Sequence, residues 1–212
     1  IHQQYVAAGA EIISANTFQA HELKLGGKAG VEAVVAAGIA CARAGGAPYV
    51  ALDIGPLGQL LEPMGPLSFE RAYEIFRRTM LAGEAAGADL ILIETIADPY
   101  EAKAAILAAK ENTALPVICS LTFHADGRTF LGCDPLTATL LLQDLGLDAL
   151  GVNCSQGPAS LAPVVETMLR YSRLPVIVQA NAGLPLIREG QAFYTLEPAA
   201  YAEQVLAMVG QG

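Results

Sequence analysis

A cysteine at position 154 stands where the sequence predicts that a buried strand gives way to a loop. The strand is predicted from the apolar run that ends in Gly151-Val152, and the loop from the pair Gly157-Pro158. A thiol placed there is held by the strand on one side and open to a ligand on the other. Since free cysteine is among the most buried residue types, a packing role is the simpler interpretation. Other residues of the chain are needed to distinguish a packing role from a ligand-binding role.

Two acidic residues also follow apolar runs directly. Glu94 ends the run Leu90-Ile91-Leu92-Ile93, where a carboxylate costs free energy unless something pairs with it. It serves either as a structural hydrogen-bond acceptor or as the counter-ion of a ligand ammonium group. Asp53 has the same two interpretations, and capping of its Gly/Pro-rich loop is the favoured one. Asn16-Thr17-Phe18 offers an amide, a hydroxyl and an aromatic wall, which suit a small polar ligand.

The remaining histidines and cysteines suggest little chemistry. His2, His21 and His124 lack metal-ligand spacing among themselves, and His21 is expected to be solvated. His124 lies in a predicted loop and is expected at the surface. Cys41, in an Ala-rich helical segment, and Cys119, inside a predicted strand, are both expected to fill the core.

The composition limits the class of protein. The chain has 212 residues, of which 53% are hydrophobic and 16% charged, which is typical of one globular domain with a sizeable core. A net charge of -9 argues against a nucleic-acid partner. Four cysteines without disulfide-scaffold density or a C-x-x-C pair predict a reducing compartment, and we expect a cytoplasmic protein. The sequence contains neither a membrane-length apolar run nor a signal peptide.

The elements that must position these residues alternate between strands and helices. Continuous runs rich in Ile, Val and Leu are typical of parallel strands covered on both faces. Helices are predicted between them, with Ser68, Asp98 and Asp134 as caps and Glu101 as the acid of a capping box. The six predicted strands are 11–14, 49–52, 90–93, 117–121, 149–152 and 176–178, and three of the helices between them are 69–83, 102–110 and 136–145.

Each predicted strand ends in something polar. In a parallel barrel these ends lie at one rim, the face that holds active sites. A doubly wound sheet usually shows a Gly-rich phosphate loop after a strand, and none is present. We therefore predict an α/β protein with a (β/α)8 barrel fold, the TIM barrel. Six strands are predicted, so the first and last strands are expected to be missing from this chain, and residues 1–212 to form a single, incomplete barrel domain.

Several motifs resemble one protein family when they are taken in order. They are 11-EIISANTF-18, 53-DIGPLG-58, Glu94-Thr95, 126-DGRT-129, 151-GVNCS-155 and 181-NAGLP-185. Together these motifs resemble the homocysteine S-methyltransferase family over essentially the whole chain. The resemblance is closest to the homocysteine-binding barrel of cobalamin-dependent methionine synthase. Gly-Val-Asn-Cys at the end of the predicted strand 149–152 is the most specific of these motifs.

The resemblance implies a zinc ion held by three cysteine thiolates. Cys154 matches the first of them, and so becomes the candidate catalytic and metal-binding residue. The other two belong to a Gly-Gly-Cys-Cys-Gly-Thr motif that is expected beyond Gly212. The resemblance also assigns the amino group of homocysteine to Glu94. The amino-acid pocket is expected to be lined by Gly151, Val152 and Asn153 together with Asn16, Thr17 and Phe18.

The implied reaction is zinc-dependent transfer of a methyl group to the thiolate of homocysteine, giving methionine. The implied donor is the methylcobalamin and 5-methyltetrahydrofolate system, supplied by another domain or subunit. S-methylmethionine or betaine as donor is an alternative within the family. Two further classes stay open, namely a lyase that uses Glu94 and Asp53 as acid and base, and a metal-free barrel that binds a small ligand.

Overall fold

A curled sheet of six parallel strands forms the centre of the molecule, a computed structural model that describes residues 1–188 and 190–211. The spatial order of the strands is their order in the chain. They are β1 (Ile12–Ser14), β2 (Tyr49–Ile54), β3 (Leu90–Ile96), β4 (Val117–Leu121), β5 (Ala149–Asn153) and β6 (Val176–Gln179). A separate antiparallel hairpin, β7 (Leu186–Arg188) and β8 (Gln191–Phe193), follows β6.

The helices connect successive strands and cover the outer face of the sheet. They are α1 (His2–Ala7), α2 (Glu22–Leu25), α3 (Val31–Ala44), α4 (Phe69–Ala85), α5 (Pro99–Asn112), α6 (Pro135–Gln143), α7 (Pro158–Tyr171) and α8 (Pro198–Val209). Their starts follow local rules. Ser68 Oγ accepts from the N–H of Arg71, Asp98 Oδ1 from that of Tyr100, and Asp134 Oδ1 from that of Thr137.

The two faces of the sheet have different environments. Residues such as Leu52, Ile93 and Leu150 belong to the large core that the strands share with the helices. Their neighbours Ala51, Leu90 and Leu92 form a second, small cluster with Ile118 and Ile177. Because side chains alternate along a strand, the second cluster marks the inner face of the curled sheet. Asp53 and Glu94 continue that face toward the carboxyl ends of β2 and β3.

This architecture confirms the α/β fold predicted from the sequence, since a curled six-stranded parallel sheet is a partial (β/α)8 barrel. All six predicted strands are present, and the three helix predictions agree to within three residues at each end. The hairpin β7–β8 was not predicted. Among the described residues, no helix is both long and apolar enough to cross a membrane.

Candidate active site at the carboxyl rim of the sheet

Asn153, the last residue of β5, joins three strand ends through its side chain. Its Oδ1 accepts hydrogen bonds from the backbone N–H of Thr95 and from the hydroxyl of Ser120, both at 2.8 Å. Its Nδ2 donates to Thr95 Oγ1 at 2.7 Å and to Cys154 Sγ at 3.4 Å. The amide is buried, so these bonds fix the ends of β3, β4 and β5 relative to one another.

Thr95 has a backbone conformation that its side chain disfavours. Its φ is 61°, in the left-handed region where a β-branched residue is a genuine outlier. The pairing of β3 with β4 also shifts register between Ile93 and Ile96, which marks an irregularity at Glu94 and Thr95. The backbone N–H that this irregularity frees is the one that Asn153 takes up. Strain of this kind persists where the surroundings over-determine it, as they often do at functional sites.

The thiol of Cys154 lies half-buried beside this amide and receives hydrogen bonds from two side chains. The hydroxyl of Thr95 donates to Sγ at 3.6 Å, in addition to the contact from Asn153. Cys154 and Ser155 both have positive φ, 58° and 53°, so the chain turns sharply directly after β5. These two contacts fix the position of the sulfur, which suits a side chain that orients toward a ligand.

The described residues supply one candidate ligand of a metal ion and not a complete set. No group of three or more His, Cys, Asp or Glu side chains within 1–188 and 190–211 is placed to hold a metal ion. Cys154 therefore fits a zinc site as one of its ligands. A catalytic zinc needs three protein ligands, and the predicted role of Cys154 as one of them stays a prediction.

Asp53 and Glu94 form a pair of acids on the inner face of the sheet. Asp53 is 8% exposed, and its Oδ1 has no hydrogen-bond partner among the described residues. Burial, together with the negative charge of Glu94, raises the pKa of Asp53 to about 8. Burial also raises the pKa of Glu94. Asp53 does not cap its loop, and the interpretation favoured from the sequence is therefore wrong.

The segment 16–18, predicted to line the pocket, is divided between different surroundings. Thr17 is buried, and its hydroxyl both accepts from the N–H of Asp53 at 3.0 Å and donates to the C=O of Asp53 at 2.9 Å. Asn16 is exposed and lines a cavity of about 820 Å³ between α1 and α3. Phe18 packs on Gly55, close to α4. The predicted contacts of Asn16, Thr17 and Phe18 with a substrate stay predictions.

Gly151 and Val152 place the end of β5 against its neighbours. A Cβ built on Gly151 would lie 1.9 Å from the carbonyl oxygen of Ile177, so only glycine allows β5 and β6 this close approach. Val152 is fully buried on the outer face, in the core shared with the helices. These two residues shape the strand from which Asn153 and Cys154 extend. Their predicted place in the substrate pocket stays a prediction.

Three expectations about single residues are wrong. His21 is 5% exposed, not solvated, and burial lowers its pKa. Cys41 is exposed on α3 instead of filling the core, whereas Cys119 is buried as expected. Glu101 does not close a capping box, because its carboxylate accepts the backbone N–H of Leu57 at 2.7 Å.

Sequence reasoning missed one member of the site and undervalued another. Ser120 holds Asn153 from β4, and its signal was a single hydroxyl residue at an inward position of an otherwise apolar strand. Thr95 was noted only as a polar strand end. Its bonds to Asn153 and Cys154 cross 58 and 59 residues of sequence, which no local pattern reveals.

Comparisons with known proteins concern the family and the fold of this chain. The family model for homocysteine S-methyltransferase matches residues 1–212. A methionine synthase of Mycobacterium tuberculosis is 30% identical over 227 residues that include the whole chain, and one of Mycobacterium leprae is 28% identical over the same length. The chain spans only 19% of the length of each of these relatives.

Solved structures share the fold at lower identity. The homocysteine methyltransferase MmuM of Escherichia coli in its oxidized form superimposes with a TM-score of 0.83 at 20% identity, covering 100% of this chain and 75% of the other. Its metallated form gives a TM-score of 0.80 at 21% identity, covering 98% and 75%. At this level of identity the likeness concerns the fold.

Proposed function

Because the chain belongs to the homocysteine S-methyltransferase family, we propose that its rim binds homocysteine and that methyl transfer to the homocysteine sulfur yields methionine. Membership of this family agrees with the class of enzyme predicted from the sequence. The observation that supports the proposal best is the network around Asn153, which fixes Cys154 at the rim that Glu94 and Asp53 also approach.

Each residue has one task in this proposal. Glu94 binds the ammonium group of homocysteine, since it is an acid on the inner face of the sheet, and no ion pair of the described residues includes it. Asn153 and Thr95 orient the sulfur of Cys154, and both direct a hydrogen atom at it. Cys154 is one ligand of a zinc ion, and its two partners are cysteines beyond Gly212. Zinc bound there would supply homocysteine as a thiolate at neutral pH, where the free thiol is mostly protonated.

The transfer itself is a displacement at the methyl carbon. A carbon–sulfur bond forms to homocysteine while the bond between the methyl group and its donor breaks, and the electron pair of that bond leaves with the donor. The apolar inner cluster lies below the acids on the same face of the sheet. We propose methylcobalamin, recharged from 5-methyltetrahydrofolate, as the donor. The related methionine synthases are about five times longer than this chain, which leaves room for the domains that such a donor needs.

The test uses the longer protein that contains this chain. Cys154→Ser should lose zinc and methionine formation together, whereas Cys41→Ser, which removes an exposed thiol on α3, should keep both. Zinc is measured by mass spectrometry and methionine by a product assay with methylcobalamin, S-methylmethionine or betaine as donor. A Cys154→Ser protein with full zinc and full activity would refute the assignment. If methionine forms only with betaine or S-methylmethionine, methylcobalamin is not the donor.

Glu94 is tested separately by calorimetry. Glu94→Gln should weaken homocysteine binding by about 1.5–3 kcal/mol, the range for a hydrogen bond to a charged group. Glu70→Gln, at an exposed position in the first turn of α4, is the matched control and should bind as the wild type does. An unchanged dissociation constant for Glu94→Gln would remove this residue from the site.

A further inference from the structure

Asp53 is a buried carboxyl group that the described residues leave without a partner. Its side chain is 8% exposed, and its Oδ1 accepts no hydrogen bond within the part of the chain that the structure describes. Burying a polar group without a partner costs free energy, and native proteins rarely do so without a reason. Because this oxygen is itself closed off from solvent, a proton on the carboxyl group or a cation at its exposed edge would lower that cost.

The backbone on both sides of this carboxyl group is fixed. The hydroxyl of Thr17, three residues beyond the end of β1, holds both the N–H and the C=O of Asp53. Asp53 pairs in register with Leu92 of β3, and Glu94 lies two residues beyond Leu92 on the same face. The two carboxyl groups are therefore neighbours that extend from adjacent strands above one apolar floor.

No cation of the protein neutralises this pair. None of the ion pairs formed by the described residues includes Asp53 or Glu94. Glu94 is the titratable group whose charge acts on Asp53, while Ser14 and Thr17 on the adjoining segment do not titrate near neutral pH. The pair is thus complementary to one positive charge from outside the chain.

We propose that Asp53 and Glu94 together bind the ammonium group of homocysteine, and that Asp53 restricts the site to acceptor thiols that have a free amino group. This inference rests on the proposed function and deepens it by adding a second, specificity-determining carboxyl group. An ammonium group suits the pair because it has three donors and a single charge. A Ca²⁺ ion takes about six to eight oxygen ligands, of which two carboxyl groups supply only a minority, whereas an ammonium group is satisfied by a few acceptors.

Binding of the ammonium group has a proton linkage. In the free protein Asp53 holds a proton at neutral pH, because its pKa is raised to about 8. A bound cation favours the carboxylate, so the acid pair should release up to about one proton per ligand near pH 7. The thiol of homocysteine releases its own proton on binding zinc, and the two contributions have to be separated.

The experiment compares homocysteine with 4-mercaptobutanoate, which lacks the amino group, by calorimetry in buffers of different ionisation enthalpy. The protein is the longer, zinc-loaded one, as wild type, Asp53→Asn and the surface control Asp144→Asn. In the wild type, binding of homocysteine should release up to about one proton more than binding of the analogue does. Asp53→Asn should abolish this difference and weaken homocysteine binding about 10- to 100-fold, with the affinity for the analogue unchanged. Asp144→Asn should behave as the wild type.

The outcomes separate this inference from the function on which it rests. If the wild type binds neither thiol, the proposed function fails. If the wild type binds homocysteine and Asp53→Asn binds it equally well with the same proton release, Asp53 is not part of the ammonium site. If Asp53→Asn weakens the binding of both thiols equally, the role of Asp53 is structural and the inference is wrong. A divalent cation that binds the wild type, but not Asp53→Asn, and competes with homocysteine would show a metal site instead.

Discussion

The buried acid Asp53 should make the stability of the protein depend on pH in a way that one substitution removes. The ordinary pKa of the side chain is 3.8, and burial beside Glu94 raises it to about 8 in the folded protein. Between these two values the folded state binds a proton at Asp53 that the unfolded state has lost. The free energy of unfolding should therefore fall as pH rises from about 4 to about 8, and then level off.

The size of the effect follows from the linkage of one proton. Each pH unit within the window changes the free energy of unfolding by about 1.4 kcal/mol. Asp53→Asn has no such proton, so its stability relative to the wild type should increase by about 3 kcal/mol between pH 5 and pH 7. The variant gains stability relative to the wild type as pH rises, because Asn retains the shape of the side chain without a charge that has to be buried.

Urea denaturation followed by far-ultraviolet circular dichroism measures this difference at pH 5, 6, 7 and 8. The control is Asp144→Asn, which removes an exposed carboxylate paired with Arg173 and should differ from the wild type by less than about 1 kcal/mol at every pH. A difference between Asp53→Asn and the wild type that stays constant from pH 5 to pH 8 would refute the reasoning. It would mean that Asp53 is already ionised in the folded protein.

Two further substitutions test how the site is held in place, both by chemical denaturation. Gly151→Ala should destabilise the protein by about 1–3 kcal/mol, because its Cβ would overlap the carbonyl oxygen of Ile177. The control is Gly210→Ala, whose Cβ would make only ordinary contacts at 3.7 Å, and equal stabilities of the two variants would contradict the close approach. Glu101→Ala should lower the free energy of unfolding by about 1–3 kcal/mol, because it leaves the buried N–H of Leu57 unpaired. Glu101→Gln keeps an acceptor for this N–H and should lower it less. An equal loss of stability in the two variants would show that this bond contributes nothing.

The sheet could be predicted from sequence because its strands are covered on both faces. Such strands appear as continuous runs of Ile, Val and Leu, for example 90–93, and the polar residue that ends each run marks the same rim. The helix starts at Ser68, Asp98 and Asp134 were equally local, since each cap bonds a backbone N–H two or three residues away. Predictions of this kind depend only on neighbours in the chain.

What could not be predicted depends on partners distant in sequence. Glu101 has the position of a capping-box acid, but the tertiary contact with Leu57, 44 residues away, takes its carboxylate. The Ala-rich segment around Cys41 gives little indication of which helix face is buried, and the thiol lies on the exposed one. The backbone N–H of Thr95 is bound by Asn153, a residue of another strand. The carboxyl group of Asp53 lacks a hydrogen-bond partner among the described residues because of how the neighbouring strands surround it. None of these relations leaves a local pattern.

The bonds of Thr17 and Asn153 have a consequence for how this rim opens. Each side chain occupies the place of a missing backbone partner, Thr17 at Asp53 and Asn153 at Thr95, so these two amides belong to the sheet and not to its loops. Their exchange with solvent hydrogen then requires separation of the strands themselves, which is among the rarest openings of a folded domain. The carboxyl group of Asp53 and the sulfur of Cys154 therefore extend from a rim whose strands rarely separate.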